Sequence, residues 1–313
     1  MNDFKHDVHV TINRNKSGSH STRAARREAL SSFARMLHGQ FKGIRLDNVN
    51  DKHISWYVQR IKVEPSVRTG QALSTGRLKN LLSHLRWLLE QVGKSGLLPK
   101  ENARLGIPRR VYVAQTSRGI TAGDDLLNDI RAHSHFVAAS MELSREFGLR
   151  FEESLKIRVS EADSRNELCL RSSWCKDGVP RAIPIRTQSQ RVALDRALAI
   201  SGTHSLCPQG TSYIEHARRA RNLINQFGIH RIHGLRHSYA QRRYMELTGW
   251  ESPAAGGPLA TNMTAAQYAV DRAARMTVSN ELGHGRVSVT NVYLGSATFA
   301  RGPIVDDTSI LID

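Results

Sequence analysis

The sequence predicts a mainly α-helical protein with a small β-sheet, an α+β fold in two domains. Apolar residues recur at helical spacing through the front third of the chain and again through most of the second half. Only one stretch, residues 166–185, alternates apolar and other residues around a Lys-Asp-Gly turn. The expected order is a flexible segment over 1–20, a helical domain over 21–110, a linker over 111–121, a second domain over 122–298 and a tail over 299–313.

Three helices are predicted in the front domain. The first follows Ser21 or Thr22, either of which is a plausible N-cap, and a short second helix follows Asp51. The third runs from the Ser74 cap to Gly93. Its apolar stripe is broad enough to face a core and consists of Leu78, Leu81, Leu82, Leu85, Leu88, Leu89 and Val92.

The second domain is predicted to open with a helical pattern from Asp124 that ends at Gly148. Two short strands then flank the turn that carries Lys176. Helical patterns return from Gln188 onward. The linker is placed before this domain because the preceding stretch contains Gly and Pro and the charge balance changes there.

The charge distribution indicates a polyanionic partner. The chain of 313 residues has a formal net charge of +17 and a sequence pI near 10.4. Residues 1–118 hold 22 Lys and Arg against 8 Asp and Glu, whereas residues 119–313 hold 23 against 20. The front third is therefore the expected electrostatic grip on nucleic acid, although a basic ribosomal or chromatin protein would show the same imbalance.

Cysteine spacing and the lengths of the apolar runs argue against several classes of protein. Cys169, Cys175 and Cys207 show no CxxC spacing, so neither a disulfide framework nor a zinc site is indicated. The N-terminus lacks the apolar core of a signal peptide, and no apolar run is long enough to span a bilayer. We expect a cytoplasmic protein with no membrane partner.

A set of cationic and proton-transferring side chains ends in one tyrosine and indicates phosphodiester chemistry. Transesterification requires a nucleophile, neutralisation of two phosphate oxygens and a proton for the leaving alkoxide. Arginine offers planar, bidentate donors for phosphate, histidine relays protons near neutral pH, and a tyrosine phenol can attack phosphorus. The candidates for a metal-free reaction are Arg150, Lys176, His233, Arg236, His284 and Tyr293.

The order of these residues resembles the tyrosine recombinases of the phage integrase type. Five motifs carry the resemblance, which covers roughly residues 20–300. They are a G-L-R-x-x-E box at Gly148 to Glu153, a turn lysine at Lys176 followed by Arg181 and Pro184, an H-x-L-R-H box at His233 to His237, an L-G-H box at Leu282 to His284, and Tyr293 nine residues after that histidine.

The resemblance implies a role for each matched residue. Tyr293 would be the nucleophile of a 3′-phosphotyrosine intermediate, and Lys176 the general acid for the 5′ oxygen. Arg150 and Arg236 would clamp the phosphate, with His233 and His284 beside it. Glu153 and His237 would support this site, although a helix-surface role for the former and simple packing for the latter stay open. No metal, cofactor or ATP is implied.

The resemblance also implies partners. These are double-stranded DNA at attachment or core sites, a homotetramer assembled from monomers on synapsed DNA and, as an option, a directionality factor. The reaction would pass through a four-way junction and integrate or excise a mobile element, in a bacterial or phage-encoded, nucleoid-associated protein. Candidate DNA contacts in the basic front domain and linker are Arg23, Arg26, Arg27, Arg77, Lys79, Arg109 and Arg110.

Several alternatives stay open at this stage. A protein with the same fold but no activity would bind DNA without cutting it. Tyr239, Tyr244 and Tyr268 are rival nucleophiles, for which core packing is the better interpretation. The 48 positions from Arg236 to His284 exceed the usual family spacing, and the excess predicts a surface loop followed by a further helix. The apolar end of the tail is expected to dock on a neighbouring protomer.

Overall fold

The computed structural model describes residues 4–65 and 70–296. These residues form two compact units that divide between Val111 and Tyr112. The first unit contains one hydrophobic core and the second contains two. The predicted tail over 299–313 lies outside the described residues.

The first unit is helical and packs around one core. Leu82, Leu85 and Leu88 of the predicted apolar stripe are each at most 1% exposed, so this stripe faces the core as expected. The Ser74 hydroxyl accepts a hydrogen bond from the backbone of Arg77 and caps the last helix. The helices are α1 (Phe4–Arg14), α2 (His20–Gln40), α3 (Asp51–Val63) and α4 (Thr75–Gln91).

The start of this unit differs from the prediction of a flexible segment over residues 1–20. Phe4, Val8 and Ile12 are spaced four residues apart, which places them on one face of α1, where all three are buried. The Phe4 ring meets the edge of Phe33 with centroids 5.8 Å apart. This burial makes residues 4–14 part of the core. The cap of α2 is Ser19, so the prediction of a cap at position 21 or 22 was wrong.

The second unit is also mainly helical and contains the one sheet of the described residues. Two cores lie within it, and α11 contributes buried residues to both. Its elements are α5 (Asp124–His133), α6 (His135–Phe147), α7 (Phe151–Lys156), α8 (Val159–Ala162), β1 (Glu167–Leu170), β2 (Arg181–Pro184), α9 (Gln188–Ser201), α10 (Tyr213–Gln226), α11 (Gly234–Thr248), α12 (Ala265–Glu281) and α13 (Asn291–Leu294).

The helix predicted from Asp124 to Gly148 is divided in two. Ser134 adopts an extended backbone (φ −160°, ψ 109°), and its hydroxyl caps α6 by accepting from the backbone of Val137. Serine readily makes such a side-chain bond, and this local bond competes with a continuous helix. Because the apolar residues keep helical spacing on both sides of Ser134, the pattern did not indicate this break.

The two strands around the Lys-Asp-Gly turn are confirmed. β1 and β2 pair in antiparallel register, with Leu168 opposite Ile183. Both of these side chains are fully buried. The turn itself is a short 3-10 helix over Lys176–Gly178.

The segment predicted as a linker makes hydrogen bonds within the second unit. The backbone N–H of Ala114 donates to the carbonyl of Asn291, and that of Ile120 donates to Gly234. Residues 112–121 therefore belong with the second unit. Across 4–65 and 70–296, the protein has no helix that is both long enough and apolar enough to cross a membrane.

Candidate active site

The turn after α6 positions Arg150 at the start of α7. Gly148 ends α6 in the left-handed conformation (φ +61°), which glycine adopts without strain. A Cβ at this position would lie 2.4 Å from Cδ1 of Tyr239, so the close contact also requires glycine. The chain then reverses through Leu149, and Arg150 becomes the N-cap residue of α7.

Glu153 holds two arginines at fixed positions. Its Oε1 accepts a hydrogen bond from Nη1 of Arg150 at 2.7 Å, and its Oε2 accepts from the backbone N–H of Arg150 at 2.8 Å. Arg181 on β2 donates its two terminal nitrogens to the same carboxylate at 2.6 and 3.1 Å. Glu153 is fully buried. It therefore orients the arginines, and the helix-surface alternative does not apply.

The arginines keep this carboxylate ionised. Burial raises the pKa of Glu153, but the hydrogen bond from Arg181 and the charges of Arg181, Arg236 and Arg150 outweigh that effect and hold the pKa at about 2. Three guanidinium cations therefore surround one carboxylate. Positive charge remains uncompensated within this group, and an anionic ligand would complete it.

Arg236 lies in the first turn of α11 and is 1% exposed. Its terminal nitrogens donate to the backbone carbonyls of Gly148 and Leu282, which fix the plane of the guanidinium. Burial lowers the pKa of Arg236 to about 10, so the side chain stays charged at neutral pH. Its Nε donates to the hydroxyl of Tyr293 at 3.2 Å.

Three of the predicted residues meet at the Tyr293 hydroxyl. Tyr293 lies on the short helix α13 and is 4% exposed. Besides Nε of Arg236, its hydroxyl lies 3.4 Å from Nε2 of His284 and 3.5 Å from Nε2 of His233. The backbone carbonyl of Tyr293 accepts from the amide of Gln241 at 3.0 Å, which joins α13 to α11.

His284 is a neutral imidazole with a defined hydrogen-bond role. Burial lowers its pKa to about 3, and the charges of Arg236, Arg150 and Arg181 add to the effect. Nη2 of Arg236 lies 3.3 Å from Nε2 of His284. Because a guanidinium only donates, this geometry makes Nε2 an acceptor. The preceding residue, Gly283, has a φ of +72°. A Cβ added at this position would lie 3.0 Å from Cδ of Arg181, so glycine allows the Arg181 side chain to pack close to the backbone there.

His237 packs behind the tyrosine. It is 5% exposed, and its ring centroid lies 4.7 Å from that of Tyr293. Burial, followed by the charge of His233, lowers its pKa to about 3. Its Nδ1 has no hydrogen-bond partner within the part of the chain that the structure describes. These contacts suit a packing role beside the nucleophile candidate.

Lys176 is not brought into this cluster. It is exposed at the first position of the turn between the strands, and within residues 4–65 and 70–296 no hydrogen bond or ion pair joins it to another side chain. Arg181, which was predicted only as part of a motif, lies inside the cluster with its side chain 4% exposed. Its match to that motif was the sequence signal that could have placed Arg181 in the site.

Two of the rival nucleophiles are hydrogen bonded to other residues, and the third is exposed. The hydroxyls of Tyr239 and Tyr244 donate to Glu281 and Asp271, each at 2.6 Å, in buried positions. Tyr268 is 42% exposed on α12, so the expectation of core packing was wrong for this residue. The described residues contain no group of three or more His, Cys, Asp or Glu side chains that could hold a metal ion.

One predicted DNA contact in the first unit needs correction. Arg26 is 7% exposed, its guanidinium lies 3.8 Å over the Trp87 ring, and Nη1 donates to the carbonyl of Ser17. This buried stacking takes Arg26 out of the candidate DNA surface.

The remaining candidate contacts in the first unit reach solvent. Arg27 and Arg109 are exposed, whereas Arg23, Arg77, Lys79 and Arg110 are half-buried. Arg77 pairs with Glu28 at 2.8 Å, and the Arg110 guanidinium lies beside Gly76 at the start of α4.

Comparison with known proteins bears on both units. Residues 1–98 match the family model described as phage integrase, N-terminal. No curated protein sequence matches the chain.

Solved structures resemble most of the chain. A lambda integrase dimer bound to a COC′ core site is 15% identical, with a TM-score of 0.54, covering 95% of this chain and 80% of that one. XerH site-specific recombinase bound to difH in a pre-cleavage complex is 15% identical, with a TM-score of 0.54, covering 92% and 80%. A lambda integrase tetramer bound to a Holliday junction is 16% identical, with a TM-score of 0.54, covering 96% and 79%. At these identities the likeness establishes a common fold.

Proposed function

We propose that the chain cleaves and rejoins DNA at specific sites through a 3′-phosphotyrosine intermediate, because it shares the fold of lambda integrase and XerH recombinase and its residues 1–98 match the phage integrase N-terminal family model. One observation carries this proposal. The Tyr293 hydroxyl lies within 3.5 Å of nitrogens from Arg236, His284 and His233. A nucleophile, a cation and proton-accepting groups thus share one point.

The chemistry follows from the positions of these groups. The Tyr293 oxygen attacks phosphorus while its proton passes to Nε2 of His284, and the P–O5′ bond breaks. Arg150 and Arg236 neutralise the non-bridging oxygens, where charge develops in the transition state. An anionic phosphate also raises the pKa of His284 from about 3, which makes the imidazole a better base once DNA is bound.

Lys176 gives its ammonium proton to the leaving 5′ oxygen. Because the lysine is exposed on a turn, this role requires the turn to approach the bound phosphate. Rejoining reverses the same steps: a 5′ hydroxyl attacks the phosphotyrosine and releases the Tyr293 phenol. The bond energy is kept in the intermediate, so no ATP is consumed.

The wider reaction extends this step to two DNA sites. We place four protomers on synapsed duplexes, with strand exchange through a four-way junction and integration or excision of a mobile element as the result. Support comes from neighbours of the same fold, which include a tetramer bound to a Holliday junction and a pre-cleavage complex with difH. Exposed basic residues of the first unit, such as Arg27 and Arg109, supply phosphate contacts. A directionality factor would choose between the two outcomes.

A nicked suicide substrate tests the proposal. The nick lies just 3′ of the scissile phosphate, so the short fragment that carries the released 5′ hydroxyl diffuses away and the covalent protein–DNA adduct accumulates. Wild type is expected to form this adduct, and Tyr293→Phe to form none. Tyr268→Phe, which alters an exposed tyrosine on α12, is the matched control and should trap DNA as wild type does.

The rival proposal is a DNA-binding protein with this fold and no activity. It predicts equally little adduct from wild type and Tyr293→Phe, together with specific binding by both. That outcome on a substrate containing the recognised site would replace the recombinase proposal.

A further inference from the structure

The segment between α11 and His284 contacts the helix that carries Tyr293. Gly295 follows α13 with a positive φ of +74°. A Cβ there would lie 2.8 Å from the backbone nitrogen of Ala254 and 2.9 Å from the carbonyl oxygen of Ala114. The long stretch between two of the predicted site motifs therefore packs directly against the end of α13.

Arg275 on α12 binds both ends of α13. Its Nη1 donates to the carbonyl of Gly295 at 2.8 Å and to Oδ1 of Asn291 at 3.3 Å. The Arg275 side chain is 3% exposed, so water does not compete freely for these bonds. Tyr293 lies between the two residues that Arg275 contacts.

Asp271 fixes the guanidinium that makes these bonds. Its two carboxylate oxygens accept from Nε of Arg275 at 2.9 and 3.0 Å. The Tyr244 hydroxyl donates to the same carboxylate at 2.6 Å, and the indole of Trp250 donates to that hydroxyl at 3.2 Å. A buried chain of hydrogen bonds thus runs from α11 through α12 to α13.

We infer that Arg275 is a positioning residue for the Tyr293 nucleophile. It binds residues on both sides of Tyr293, and by this it holds the phenol beside Arg236. Asp271 orients the guanidinium of Arg275. The inference rests on the proposed function of Tyr293, but it concerns the placement of the phenol and not the phosphate clamp. Replacing Arg275 should slow the attack of Tyr293 on phosphorus without weakening DNA binding.

Single-turnover cleavage of the nicked substrate at saturating DNA tests this distinction. Arg275→Met is expected to form adduct about 100-fold more slowly than wild type, because a displacement near 1 Å costs about that factor. Its DNA dissociation constant should be unchanged. Arg275→Lys should fall between the two, since one ammonium replaces only part of the guanidinium network. Arg272→Met, an exposed position on the same helix, should cleave as wild type does.

A second measurement does not depend on activity. 3-Fluorotyrosine placed at position 293 should give one sharp ¹⁹F resonance in the wild-type background and a shifted or multiple signal with Arg275→Met, at a temperature where circular dichroism shows both proteins folded. If Arg275→Met does not fold, Asn291→Ala decides, because it removes one bond to α13 and keeps the buried Asp271–Arg275 pair. It should slow cleavage severalfold and perturb the resonance.

The results separate the two ideas. Absence of adduct from wild type overturns the proposed function, while the fluorine spectra still test the positioning role. An unchanged resonance and, where wild type cleaves, an unchanged cleavage rate in Arg275→Met overturn the positioning role. The same results for Asn291→Ala do so if Arg275→Met is unfolded.

Discussion

The Nε of Arg236 donates to the Tyr293 hydroxyl at 3.2 Å, across 57 residues of sequence. The other two nitrogens of the guanidinium are held by the carbonyls of Gly148 and Leu282. The arginine is thus aligned by backbone from two further motifs before any DNA arrives. A cation that is already oriented in a buried site stabilises developing negative charge without reorganisation.

Arg236→Lys is expected to lower the single-turnover cleavage rate by about 100- to 1000-fold, the range found when one oriented donor to a transition-state charge is removed. Lysine cannot reach the two carbonyls and the phenol at once, because its donors radiate from one nitrogen. Adduct formation on the nicked substrate measures the effect. Arg242→Lys, half-exposed on the same helix, is the control, and equal rates for the two variants would contradict the assigned role.

The residues of this cluster could be predicted from the sequence because they lie in short motifs with ordered spacing. The arrangement of these residues in space could not be predicted in this way. Arg181 shares the carboxylate of Glu153 with Arg150 through a strand pairing, and no local pattern reports which side of β2 faces that carboxylate. Lys176, in the same motif region, stays exposed. Membership in a motif and presence in the folded site are therefore separate properties.

The helical fold was predictable where burial is periodic, as in α4. It was not predictable where three buried residues in a mostly polar segment decide, as in α1, or where a tertiary contact buries a charged side chain. Arg26 illustrates the second case. Its stacking on Trp87, 61 residues later, buries a cation that local sequence places on a basic helix entrance.

Glu153→Gln should lower the free energy of unfolding by about 3 kcal/mol or more, because removing one partner of a buried ion cluster leaves the others uncompensated. The wild-type carboxylate has a pKa of about 2, below its ordinary value of 4.5. A depressed carboxyl pKa stabilises the fold above pH 4.5, and the contribution is lost as the pH falls toward 2. Denaturant melts at pH 7 and pH 3 should therefore differ less for Glu153→Gln than for wild type. An equal loss in both proteins would count against the arginine cluster as its cause.

His237 and His284 predict a second pH effect, which begins at a higher pH than that of Glu153. The pKa values of His237 and His284 fall from 6.5 to about 3 in the folded protein, chiefly through burial. Below pH 6.5 the unfolded chain therefore binds protons that the folded chain does not, and stability declines as the pH drops from 6.5 toward 4.5. Melting temperature should fall across this range, and His237→Asn should show a shallower fall. Retention of the full wild-type slope in this variant would exclude a contribution from His237.

Gly148→Ala tests whether the turn before Arg150 requires glycine for its conformation, its space or both. The left-handed backbone alone costs a non-glycine residue about 1–3 kcal/mol. Here the new Cβ would also lie 2.4 Å from Cδ1 of Tyr239, which is buried and hydrogen bonded to Glu281. Gly228→Ala isolates the first effect, because Gly228 has φ +79° and no neighbouring atom within 4 Å of the added Cβ. We expect Gly148→Ala to lose clearly more stability in denaturant melts than Gly228→Ala and to cleave more slowly, since Arg150 follows two residues later. Equal losses would mean that Tyr239 yields freely and that the close contact does not constrain the site.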